Sequence, residues 1–169
     1  TNLHSIDDAL NLSQECPGLI ITGAEYKVAG EEGSSVQVVA LDLNEELHKL
    51  LMKARFRGIA CFTNILKEKH IPYYLSHIGS GIPMKHPDAA KFLEDFLAFF
   101  DAMEVLNPLS LQKNSFALGL AMYYGLAPVG GSGALILEGN KRAYTQASEA
   151  QNLSDFFSAF LKKNVKAGI

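Results

Sequence analysis

The chain has 169 residues, 48% apolar and 20% charged, a mixture that belongs to folded globular proteins and excludes a disordered chain. Its formal net charge is only -3 at pH 7. Without a concentrated basic face to displace counterions from phosphates, no nucleic-acid partner is expected. The length fits one domain spanning residues 1–169.

The first helix signal is Ser5-Ile6-Asp7-Asp8, a capping-box pattern in which hydroxyl and carboxylate each satisfy an orphan N–H. That helix ends before Pro17-Gly18. LIITGAEYKV and SVQVVALDL, joined by AGEEGS, form a hairpin of two β-branched runs. Asp42 or Asn44 then caps one long helix through Leu66, with Gly58 inside it as a place for a kink or close packing. IPYYLSHI reads as a third strand.

Pro87-Asp88 opens the helix DAAKFLEDFLAFFDAMEVL, which stops at Asn107-Pro108. SFALGLAMYYG is a further helix, with Gly125 in the left-handed terminal position. ALILEGNKRAYTQ carries Gly139-Asn140, a preferred two-residue hairpin turn. A last amphipathic helix runs from about Ser154 to Lys163. These elements predict an α+β fold: one largely antiparallel sheet of about five strands covered by amphipathic helices. The alternative is a mixed α/β sandwich.

No apolar run is long enough to span a bilayer, so no membrane partner is expected. TNLHSIDDAL lacks the basic and apolar regions of a signal peptide. Cys16 and Cys61 form no CxxC or Cys/His ligand spacing, which predicts free thiols, a reducing compartment and a cytoplasmic location. On the long helix Arg57 and Cys61 stand four apart, a spacing at which a guanidinium lowers a thiol pKa. A buried structural cysteine is the competing reading. The five histidines, His4, His48, His70, His77 and His86, show no i, i+4 pair and no H-E-x-x-H, so no metal site is expected. Nothing names a cofactor.

Two glycine turns concentrate the residues that carry chemistry. In IPYYLSHIGSGIPMKHPD, Gly79-Ser80-Gly81 lies between His77 and the pair Lys85-His86. A helix start after Lys85 offers free N–H groups to an anion, and either histidine transfers protons near neutral pH. The second turn is Gly130-Gly131-Ser132-Gly133, whose N–H groups form a concave row of donors when clustered. Neither turn is a phosphate loop, a dinucleotide fingerprint or a G-x-S-x-G elbow. Plain close packing at strand ends is the competing account of these glycines.

Should the fold bring both turns to one edge, they would make two walls of a pocket for a small anionic metabolite bearing phosphate or carboxylate. In that reading His77 and His86 are the acid/base groups and Ser80 a nucleophile or polar contact. Gly79, Gly81, Lys85, Gly130, Gly131, Ser132 and Gly133 hold the ligand. A second reading makes the chain a non-catalytic adaptor or ligand sensor that self-associates as a homo-oligomer. Its basis is the adjacent pairs Phe99-Phe100 and Phe156-Phe157, whose members diverge by about 100° on a helix and so address two surfaces.

Overall fold

The structure, a computed structural model, describes residues 3–15, 21–30, 34–76, 89–108, 111–131 and 143–169. In chain order the elements are α1 (Leu3–Glu15), β1 (Gly23–Ala29), β2 (Ser35–Leu41), α2 (Glu45–Ala54), α3 (Ile59–Glu68), β3 (Tyr73–Ser76) and α4 (Ala89–Leu97). Then come β4 (Ala102–Leu106), α5 (Leu111–Tyr124), β5 (Ala127–Gly130), β6 (Tyr144–Gln146), α6 (Leu153–Leu161) and β7 (Lys166–Gly168).

The fold is α+β, built on a mixed five-stranded sheet of order β1-β2-β3-β4-β5. β1 and β2 form the expected antiparallel hairpin, and β3 joins β2 antiparallel. β3, β4 and β5 are mutually parallel, so the sheet is not largely antiparallel. The parallel half comes from two consecutive crossovers, β3-α4-β4 and β4-α5-β5, which a right-handed connection places on one face of the sheet.

Alternation in β1 and β2 shows how sequence becomes layer. Ala24, Tyr26 and Val28 are buried, as are Val36, Val38 and Ala40, while the residues between them point to the other face. That buried side meets Leu47 and Leu51 of α2, Phe62 and Leu66 of α3, Phe96 and Leu97 of α4, and Ala117 and Ala121 of α5 in one core. A smaller core on the opposite face joins Ala102, Ala127 and Val129 to Phe160 and Val165, with Tyr74 packed against it. α6 and the antiparallel β6–β7 ribbon supply that second layer.

The predicted long helix is two helices. Asn44 caps α2, its side chain accepting from Leu47 N–H at 2.8 Å. Gly58 has φ +96° and ψ 164°, a backbone region that essentially only glycine occupies, and it starts α3 instead of continuing α2. Arg57 therefore lies in the connection, not on a common helical face with Cys61. The helix expected over 88–106 also divides: α4 ends at Leu97, and Ala102–Leu106 forms β4. Gly125 does take the left-handed conformation after α5, at φ +65°. α1 begins ahead of Ser5 and runs to Glu15, so Ser5 lies within the helix and not at its cap.

Phe99, Phe100 and Phe156 of the two phenylalanine pairs pack against the cores. Phe100 is 2% exposed and Phe99 packs partly buried against the same core. Phe156 packs beside buried Phe160 in the smaller core, with Phe157 half-buried next to it. Phe100 is thus enclosed within the chain, and Phe157 keeps part of its surface exposed.

Candidate functional site

Because β3, β4 and β5 run parallel, all three end at one edge of the sheet. β3 ends at Ser76 and leads into 77–88; β5 ends at Gly130 and leads through Gly131 into 132–142. Only β4 stands between them, a separation of about 10 Å at two strand spacings. Carboxyl ends of parallel strands are where open α/β sheets place ligands, because loops rather than packed helices meet there. His77, Gly79, Ser80, Gly81, Lys85, His86, Ser132 and Gly133 lie outside the described residues, as does the Gly139-Asn140 turn.

Gly130 and Gly131 are described, and Gly130 has a packing reason to be glycine. A Cβ on Gly130 would collide with the backbone of Tyr144; one on Gly131 would meet the carboxylate end of the Glu104 side chain. Their N–H groups are engaged within the protein: Gly130 donates to Thr145 Oγ1 at 3.1 Å and Gly131 to Leu106 O at 2.9 Å. What these two glycines contribute at the edge is the space left by a missing side chain. Gly130→Ala is expected to push β6 away from β5, because the obstructing atoms are backbone. Strained insertions of this kind cost about 1–3 kcal/mol. Hydrogen exchange of the 144–146 and 166–168 amides, faster in the variant than in the parent, checks it.

A polar line crosses the sheet next to this edge, on the face opposite the main core. Ser76 Oγ donates to Glu25 Oε1 at 2.9 Å, and Gln37 Nε2 donates to Glu25 Oε2 at 3.3 Å. Glu104 is 8% exposed on β4, and Asn107 Nδ2 donates to its Oε1 at 3.3 Å. Asn107 is fixed in turn by α5: its N–H donates to Asn114 Oδ1 at 3.1 Å, and Asn114 Nδ2 donates to the Asn107 carbonyl at 3.2 Å. Tyr74, between these groups on β3, has its phenol pKa pushed well above the usual range by burial and then by the charges of Glu104 and Glu25. It stays a neutral hydrogen-bonding group across the physiological range.

Sequence reading missed Glu104, Asn107, Glu25, Ser76 and Tyr74. The usable signal was a carboxylate inside the apolar run Ala102-Met103-Glu104-Val105-Leu106, since a charged side chain is rarely enclosed unless it is paired. The assignment of that run to a helix hid it. Elsewhere, a cavity of about 230 Å³ lies against α6, lined by Glu149, Asp155, Ser158, Lys162 and Asn164. Cys61 is a free, half-buried thiol. Among the described residues no group of three or more His, Cys, Asp or Glu side chains converges on a metal-sized site, and no helix is long and apolar enough to cross a membrane. A scan against protein-family models matches none, and a search of curated proteins finds no significant match.

Proposed function

We propose that the protein binds, and acts on, a small anionic metabolite at the carboxyl edge of β3, β4 and β5. The observation that carries this reading is the parallel run of those three strands, which starts the segments 77–88 and 132–142 from one edge. Lys85 and the glycine-rich amides of 79–81 take the phosphate or carboxylate of the ligand. His77 and His86 exchange protons with it, and Ser80 and Ser132 supply polar contacts or a nucleophile.

Glu104, enclosed and steadied by Asn107, adds an acceptor that the sequence did not suggest. The ligand that suits this division has an anionic end toward the loops and a hydroxyl or amino donor toward Glu104. A plain dianion presented to the carboxylate would be repelled.

A melting-temperature screen over phosphorylated and carboxylated metabolites tests the proposal. A ligand held at a hundred times its Kd stabilises the folded state by about 2.7 kcal/mol. Lys85→Ala is expected to abolish that shift, and Glu104→Gln to reduce it while leaving the unliganded melt nearly in place. A screen in which no member shifts the melt, or a shift indifferent to both variants, overturns the reading.

A further inference from the structure

We propose that the protein forms a two-fold dimer in which α5 crosses α5 of a second copy. The reason begins in its sequence, LQKNSFALGLAMYY, where Lys113 is the sole charged residue. A helix apolar on every side belongs in an interior on every side. Among the described side chains of α5, the buried ones, Ala117 and Ala121, lie on one side. On the other side Met122 is 76% exposed, Tyr123 83%, Phe116 45% and Leu118 43%.

At 100° per residue, Ser115, Gly119 and Met122 run down the middle of this exposed side. Leu118 forms one flank, and Phe116 and Tyr123 form the other. Among the described residues nothing lies within 4 Å of a Cβ position on Gly119, so another helix can approach closely there. At about 150–250 Å² for a large side chain, those exposures leave on the order of 500 Å² of apolar surface. That is more than half of the roughly 800 Å² each partner contributes to a standard interface.

The chemistry of the face selects the occupant. It has no charge to match an acidic or basic partner, and it lacks the lysine- and arginine-rich polar face of a helix that lies on a membrane. What it does have is two small residues, Ser115 and Gly119, in line with the large Met122 and between flanks of large residues. Turned through a two-fold axis, the large side chains of one copy meet the Ser115–Gly119 depression of the other, the self-complementarity that an isologous contact requires.

Light scattering and sedimentation velocity on the whole chain, over a wide concentration range, read the result. A dimer is expected for the parent, with Met122→Glu weakening it by about thirtyfold or more, the scale of losing a central contact. Leu118→Lys should do the same from the flank. Both positions face solvent within one copy, so circular dichroism and the monomer's melt stay as in the parent. Gly119→Cys, with Cys61→Ala and Cys16→Ser, should give a disulfide-linked dimer on mild oxidation. A parent that is monomeric throughout, including one that carries a different molecule on this face, overturns the proposal. So does a dimer that survives both charged variants.

Discussion

Phe62→Ala should lower the stability of the protein by about 3–5 kcal/mol, the range for emptying an aromatic site in a packed core. Phe62 has no exposed surface, and its ring lies 5.2 Å from that of Tyr26, centroid to centroid. Tyr26 is itself fixed by a 2.7 Å hydrogen bond between its hydroxyl and His48 Nδ1, and both residues are fully buried. The hydrogen bond restrains Tyr26 from swinging into the vacated volume, so the cavity collapses little and the cost sits at the high end. Against a usual net stability of about 5–15 kcal/mol, this one change removes a large share. Urea unfolding measures it, and the melting point should fall by about 2–4 °C for each kcal/mol lost in a chain of this size. A loss below 1.5 kcal/mol would mean that α3 does not seat on β1 as described.

Alkaline pH should unfold the protein through three tyrosines. Burial raises the phenol pKa of Tyr26, and burial raises those of Tyr73 and Tyr74 with further help from Asp101 for the former and from Glu104 and Glu25 for the latter. In the unfolded chain each ionises near the ordinary value of about 10. The folded state therefore holds its protons more tightly, and its stability is intact below pH 10. Above that, stability declines as the pH rises toward the folded values, by up to about 1.4 kcal/mol per pH unit for each tyrosine. Urea midpoints between pH 9 and 11.5 should show this fall, and Tyr74→Phe should make it shallower by about one third of the tyrosine contribution. An unchanged slope in Tyr74→Phe would contradict the enclosure of that phenol beside Glu104.

How much was legible in the sequence depended on how local its cause was. The β1–β2 hairpin, the cap at Asn44, the left-handed Gly125 and the helix before it each follow from neighbouring residues, and each is present. β4 escaped because Phe96, Phe100 and Met103 keep helical spacing across the change from helix to strand, and neither glycine nor proline marks it. Tertiary pairing with β3 and β5 overrides that local pattern. β5 escaped for the opposite reason: Pro128 argues against a strand, yet it pairs beside Met103. With those two strands unread, the parallel half of the sheet could not be foreseen, and Glu104 could not be placed. The candidate loops were singled out by composition alone, whereas the groups beside them depend on strand order, which no short window of sequence encodes.

The two margins of the sheet are finished differently, and this bears on how the protein avoids sticking to itself through its backbone. β5 is flanked by the β6–β7 ribbon through the Gly130 and Thr145 bonds. Among the described strands β1 is the outermost on the far side, with Glu25 and Lys27 exposed along it. An outer strand offers a ladder of amides to any passing extended chain, and charged side chains make such an addition costly. Fibrillar assembly should thus begin, if anywhere, where neutral substitutions at Lys27 and Glu25 have stripped that guard.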